Sequence, residues 1–433
     1  MEYRRLVAVL VPQRKQFVRG LLLLYLCQWQ ALFAQTEMSI NLGWALQHTL
    51  ENNARLKTYP QRLRLADAQR IQAEMRPLPV LGFSADYVAG NGVYTGNDLA
   101  EYTLSLGQTL ELGNKRDSRL AVASASAQQL EADYQLARVD VLAETSRRFY
   151  DVLHLQALQR LIGIRVAYEE EVLGIIEERA RGGAVAKADV SKMRLRLMRS
   201  QANSRQMVGQ TAEARAQLAL MWGAVPTFDR VSGDLLILPP VPSPARMVEV
   251  LAQSPQLQRQ QALLRLADAR VRLAQANGRV NLDLSVGIVQ LQSSRDQALM
   301  FDMAMPIPLS NPNRGGIAQA RAAMALDTEK AELTRKQLQA GLLAEQLRLV
   351  NTTDYALLLT EQLIPQAKKL LKDTEAAYHQ GRYSVLQLAD AQAQLFLLER
   401  ERLQTHVLAY HQILELERIT GQTLVPTGQE TDL

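Results

Sequence analysis

The sequence predicts a mainly α protein with a small β part. Long antiparallel coiled-coil helices and four amphipathic strands are laid down as two tandem duplicated halves. Three observations carry this. Hydrophobic residues make up 47% of the 433 residues and charged ones 21%, yet aromatics only 5%, which suits helices packed through small and aliphatic side chains. From Lys115 to about Arg181 nothing interrupts a helical pattern except isolated Gly163 and Gly174. Landmarks also recur in order: LRLADA at Leu63–Ala68 and Leu264–Ala269 is offset by 201, and the glycine pairs Gly183/Gly381 and Gly223/Gly421 are each offset by 198, the signature of an internal repeat.

Residues 1–34 read as a signal peptide. Arg4, Arg5, Arg14, Lys15 and Arg19 precede the apolar run GLLLLYLCQWQALFA, and Ala34 before Gln35 is a cleavage point. The run is short for a bilayer-spanning helix, and a transmembrane anchor is the competing reading. Cys27, the only cysteine, falls inside it, so the processed chain has no disulfide and no thiolate metal ligand or nucleophile. Bulky Leu26 before Cys27 argues against lipidation. Removing this segment takes the charge from 49 basic against 44 acidic residues to 44 against 43. Net charge therefore points to no nucleic-acid partner.

The first repeat spans 35–223. It opens with one helix of roughly 35 residues, about Leu42 to Arg76, ended by PLP at 77–79. Two strands come next by period-2 alternation: Leu81, Phe83, Ala85 and Tyr87 in the first, Tyr102, Leu104 and Leu106 in the second. GNGVYTG at 90–96 is the loop between them. The helix from Lys115 to about Arg181 succeeds them, roughly 100 Å long if continuous, with Leu130, Tyr134, Ala137 and Val141 as a coiled-coil seam. A turn near 179–190 sends the chain back to Gly223. A linker at 224–243 leads to the second repeat, 244–421.

That repeat uses the same plan. A helix from Pro244 to about Gly278 breaks at NGR, 277–279. Strands succeed it with Val280, Leu282, Leu284, Val286 and Ile288, then Leu299, Phe301, Met303 and Met305, on their apolar faces. In the long helix beyond, Ala356, Leu363, Leu370 and Ala377 lie seven apart as a seam, and Pro365 should start or kink the helix. The second turn lies near 377–390, and a tail occupies 422–433.

An exported chain with strands of about ten residues, apolar on one side and Asp, Asn, Ser and Gly on the other, fits the lipid-out, lumen-in pattern of an outer-membrane barrel. A soluble α+β domain is the plainer alternative. Four strands cannot close a barrel, and an open edge in lipid leaves backbone groups unsatisfied. Two copies would make eight strands, three would make twelve and leave room for a channel. Helices of about 100 Å anchored at one end must turn and return. Gly183 and Gly381 can take the positive φ of a helix C-cap, and Asp189 can cap or complement the returning helix.

At these turns the chain resembles the TolC-type outer-membrane efflux family. The resemblance rests on Arg179, Gly182, Gly183, Val185, Ala186, Asp189 and Val190 at the first tip and Tyr378, Gly381, Val385, Leu388, Asp390 and Ala391 at the second. It extends to the duplicated halves and their strand pairs. The second tip departs at Gln387, where the first has Asp189. A narrower resemblance lies in QTLELGNKR, Gln108–Arg116, similar to the ELGGKR-type sequence of the cobalt/zinc/cadmium and copper/silver branch of that family, with Asn114 replacing the second glycine. The plainer reading of Gly113, Lys115 and Arg116 is a strand-to-helix junction.

The resemblance implies a homotrimer, a 12-stranded transmembrane β-barrel continued by an α-barrel, and tips that dock a periplasmic adaptor protein serving an inner-membrane RND-type pump. Asp373 and Glu375, about two turns before Gly381, are candidates for an acidic gate ring. Catalysis is not expected. The histidines His48, His154, His379, His406 and His411 form no HExxH, and no GxSxG, Walker or dinucleotide motif is present. No metal site and no cofactor are expected in the chain. The sequence thus reads as an outer-membrane duct of a tripartite efflux system, contacting outer-membrane lipid, with heavy-metal cations as one candidate cargo. Drug or type I protein export through the same architecture, or a periplasmic coiled-coil scaffold without a pore, are the rivals.

Overall fold

The computed structural model describes residues 38–424. The expected signal peptide with Cys27, and the tail from residue 425, lie outside the described residues. In chain order the elements are β1 (Ser39–Ile40), α1 (Leu42–Asn52), α2 (Ala54–Lys57), α3 (Tyr59–Glu74), β2 (Val80–Asp86), β3 (Glu101–Glu111), α4 (Lys115–Arg181) and α5 (Lys187–Leu220). The second half continues with β4 (Arg230–Val231), α6 (Pro244–Leu251), α7 (Pro255–Asn277), β5 (Asn281–Leu291), β6 (Gln297–Ala304), α8 (Arg314–Leu358), α9 (Ile364–His379) and α10 (Val385–Thr420).

The helices form a wall one helix thick. On the sheet side the neighbours run α3, α4, α7, α8. On the turn side they run α5, α4, α10 and then α8 with α9. A stripe of small and aliphatic residues on each helix suffices for such side-by-side packing, and α4, with 67 residues or about 100 Å of helix, is the spine of both levels. In the seam of α4, Ala137 and Val141 are buried, while Leu130 and Tyr134 pack against them half-buried.

Midway along the wall lies the main core. The parallel pair β1–β4, α1 and the segment after α5 wrap Phe149, Val152 and Leu153 of α4 and Ile413 and Leu416 of α10 with Trp222, Phe228 and Leu235. The connection at 224–243 therefore packs as a belt. Tyr410 donates its hydroxyl hydrogen to the Ile237 carbonyl at 2.7 Å, and the His406 ring lies 3.0 Å from the Leu235 carbonyl.

Three sequence expectations need correction. The helix expected over 42–76 is three helices. Asn53 leaves helical geometry because its side-chain amide donates to the Met221 carbonyl at 2.7 Å while its side-chain oxygen accepts from the Arg55 and Leu56 N–H groups at 3.0 and 3.4 Å. The helix expected over 244–278 divides at Ser254–Pro255, where the serine hydroxyl accepts from the Leu257 N–H at 3.2 Å and proline opens the next helix.

The third correction concerns the seam expected at Ala356, Leu363, Leu370 and Ala377. Pro365 stands in the first turn of α9, as a proline that starts a helix does, and the chain stays helical from α8 into α9 through a π-helical turn, Leu359–Leu363. One extra residue in that turn rotates the whole of α9 by about 100°. The buried set becomes Ala356, Leu359, Ile364, Ala367, Thr374 and Tyr378, while Leu363 and Leu370 of the expected seam are exposed and Ala377 is half-buried.

Candidate functional site

Three regions position the residues singled out by sequence. The first is the sheet, β2–β3–β5–β6, antiparallel throughout. Its register places like with like. Leu81 and Phe83 stand opposite Leu106 and Leu104, these opposite Val286 and Ile288, and these opposite Phe301 and Leu299. The whole apolar face is uncovered, with Leu81 72% and Phe301 78% exposed.

The other face carries Gly82, Ser84 and Asp86, then Glu101, Thr103, Ser105, Gly107, Thr109 and Glu111, then Asn281, Asp283, Ser285 and Gly287, and Asp302. No Lys or Arg occurs in the four strands. Backbones approach closely on that face: a Cβ on Gly287 would lie 2.8 Å from the Leu104 carbonyl oxygen, so small residues there let the sheet curve toward them. Each outer strand, β2 and β6, has one partner and one open edge.

At the junction, Gly113 and Asn114 both take positive φ, 77° and 57°. Asparagine is among the few side chains that adopt this conformation readily, so the replacement of a second glycine is accommodated. A Cβ on Gly113 would collide with the Arg279 side chain. Lys115 donates to the Asn281 side chain at 2.5 Å, and Arg116 donates to the Glu74 carbonyl at 2.7 Å and its carboxylate at 3.0 Å. Arg119, which sequence reasoning missed, completes the brace by pairing with Glu111 and donating to the Met75 carbonyl at 3.0 Å.

At the tips, both turns are Schellman motifs. Gly183 and Gly381 have φ of 76° and 73°. The Ala184 N–H donates to the Arg179 carbonyl at 3.0 Å, and the Arg382 N–H to the Ala377 carbonyl at 2.9 Å. Gly182, at φ −78°, is an ordinary cap. The returning helices differ. Helix α5 starts at Ala186 without a side-chain cap, and Asp189 lies in its first turn, where its charge complements the helix dipole. Helix α10 starts at Ser384 in a capping box: the serine hydroxyl accepts from the Gln387 N–H at 3.3 Å, and the Gln387 side-chain oxygen accepts from the Ser384 N–H at 2.7 Å. Gln387, which departs from the first tip's pattern in sequence, makes the better cap.

The two tips share one core. Val172, Ile176 and Met193 pack with Tyr378, Val385 and Ala389, and Val185, Val190 and Leu388 lie against them. The Arg179 guanidinium sits 4.7 Å from the Tyr378 ring centroid, and Arg196 donates to Asp390 at 2.6 Å; Ala391 is buried. Asp373 and Glu375 are exposed on either side of buried Thr374. Glu375 faces Tyr168: burial, then Glu375 and Glu171, push that phenol up to about 12. Among the described residues no group of His, Cys, Asp and Glu is arranged to hold a metal ion, and no helix is long and apolar enough to cross a membrane.

Comparison with known proteins agrees with this anatomy. Residues 45–224 match the Outer membrane efflux protein family. The cobalt-zinc-cadmium resistance protein CzcC of Cupriavidus metallidurans is 24% identical over 326 residues, covering 74% of this chain and 77% of that protein. The pyoverdine export outer membrane protein OpmQ of Pseudomonas aeruginosa is 23% identical over 419 residues, 91% of this chain and 87% of that one. Among solved structures, the outer-membrane channel OprN superposes with a TM-score of 0.75 at 21% identity, covering 89% of this chain and 91% of that one. CusC does so at 0.74 and 15%, covering 90% and 94%. Residues 45–224 carry an outer membrane efflux protein domain, and the chain has the fold of the outer-membrane efflux channels.

Proposed function

We propose, with that domain as the premise, that the chain forms the outer-membrane duct of a tripartite efflux system and that three copies close the wall. One observation carries the reading: a four-stranded sheet with a fully exposed apolar face and two open edges continues into a helical wall one layer thick. Lipid covers the apolar face, and sister copies cover the edges. Three copies supply twelve strands and a tunnel, and the tandem halves, 35–223 and 244–421, supply equivalent portions of it. The tip turns, Arg179–Val190 and Tyr378–Leu388, are the docking surface for a periplasmic adaptor linked to an inner-membrane pump.

Heavy-metal cations are the proposed cargo. Two curated relatives, CzcC and the nickel-cobalt-cadmium resistance protein NccC, carry metal resistance in their names. The sheet face that would line the lumen bears Asp86, Glu101, Glu111, Asp283 and Asp302 without a basic residue in the strands, a lining that favours cations. Export of an organic solute through the same duct is the second reading, favoured by the near full-length match to OpmQ. In either case the duct performs no covalent chemistry.

The purified chain in a planar bilayer tests the proposal. Heat-modifiable oligomers and single-channel conductance with cation preference are expected. A water-soluble monomer without detergent would refute the duct. Metal sensitivity of a deletion strain without drug sensitivity separates the cargos.

A further inference from the structure

Between the tips and the belt, α4 and α10 part to leave a cavity of about 330 Å³, at the small end of ligand-site volumes. Its walls are Leu161 and Ile164 of α4 and Ala393, Leu395 and Phe396 of α10. Two polar groups at its edge lack partners. Glu169 is only 4% exposed; its Oε1 accepts from the Arg165 Nε–H at 2.8 Å, and its Oε2 accepts nothing. The neighbouring Tyr168 hydroxyl is likewise buried and unpartnered. Arg165 is held over the Phe396 ring, 4.5 Å from its centroid. The other charges at the rim are already paired, Arg196 with Asp390 at 2.6 Å and Glu399 with Arg402 at 2.7 Å.

A buried acceptor left unmet calls for a donor from outside the chain, and an apolar cleft selects the rest of that molecule. We propose that this cavity binds an amphiphilic amine, its aryl or alkyl body between Leu161, Ile164 and Phe396 and its ammonium donating to Glu169 Oε2, which a turn of the side chain brings into the cavity, with the Tyr168 hydroxyl as a second acceptor. The site lies fourteen residues before Gly183 on α4, about 20 Å above the tip. It is separate from the adaptor surface and independent of the duct reading. Because it sits where the α4–α5 pair meets the α8–α10 group, occupancy ties those two groups together.

Isothermal titration of the full chain in an uncharged detergent with 4-phenylbutylamine, and in parallel with 4-phenylbutanol, tests it. The expected result is saturable binding of one amine per chain, at least tenfold weaker binding of the alcohol, and at least a tenfold loss in Glu169→Gln. Ile164→Trp, at a position 64% exposed, fills the mouth while keeping the carboxylate; it should abolish binding and carries the test if Glu169→Gln does not fold. Equal affinity for amine and alcohol, indifference to Ile164→Trp, or no saturable binding in the wild-type chain overturns the proposal.

Discussion

Deleting one residue from a long helix ordinarily misaligns everything after it, yet deletion of Thr360 should be tolerated. The reason lies in the π turn at Leu359–Leu363, which holds one residue more than an α-helix would. If α9 kept strict α phase with α8, Leu363, Leu370 and Ala377 would face α10, and Ile364 and Tyr378 would swing out by about 100°. Ile364 and Tyr378 are both buried, and at roughly 1.5–3 kcal/mol for each large side chain the π phase is favoured by about 3–6 kcal/mol. Against this stand one or two distorted backbone hydrogen bonds, of order 1 kcal/mol each.

Removing Thr360 deletes the extra residue and leaves Ile364, Thr374 and Tyr378 on the seam of a continuous α-helix. Inserting an alanine between Lys369 and Leu370 has the opposite effect: it rotates Thr374 and Tyr378 out of the seam and separates Tyr378 from Arg179. The cost is about 2–4 kcal/mol, from lost burial and roughly 0.5–1 kcal/mol of cation–π attraction. Thermal unfolding of both variants in detergent, followed by circular dichroism, distinguishes them. A deletion as damaging as the insertion would refute the phase argument.

Gly381→Ala, at φ 73° with no atom within 4 Å of the added Cβ, should lower stability by about 1 kcal/mol through backbone strain alone, whereas Gly182→Ala, at φ −78°, should be nearly neutral; paired thermal melts make the comparison. Arg179→Ala should weaken closure of the tips by about 0.5–1 kcal/mol, read in a planar bilayer as a two- to fivefold rise in open probability. His154 is lowered from its usual value near 6.5, by burial first and by His411 and Arg400 in addition, while Asp151 and the Leu403 carbonyl oppose. The unfolded chain therefore binds more protons, and stability present above about pH 6.5 is lost as pH falls. In His154→Leu the drop in melting temperature between about pH 7.5 and about pH 5.5 should shrink, though not vanish, because burial also lowers His406.

The strands and α4 were legible because their periods, two and 3.6, persist over enough residues to outweigh local composition. Shorter breaks divide into two kinds. Ser254–Pro255 is a local capping signal present in the sequence, and Ser384 with Gln387 is an S-x-x-Q capping box; both could be read from neighbouring residues alone. Asn53 differs, since its break depends on the Met221 carbonyl, 168 positions away. Heptad counting failed beyond Leu359 because it assumes a constant residue count per turn. The junction residues Gly113, Lys115 and Arg116 were visible, but Arg119 was not, for its partners Glu111 and Met75 meet it only once strand and helix are folded against each other. The pairing of Arg179 with Tyr378 was out of reach for the same reason: it joins two turns 198 positions apart in offset.

Phe149, where the belt grips α4, lies 32 residues before Arg181, or about 50 Å by helical rise. With the belt as fulcrum, α4 is a lever with arms of similar length toward sheet and tip. A tilt of roughly 6° below that point carries the first tip turn sideways by about 5 Å, a whole side chain's reach, while strands on the far side of the pivot need not shift their hydrogen bonds at all. Mechanical work done at the lower end can thus be spent there, with the sheet end left at rest.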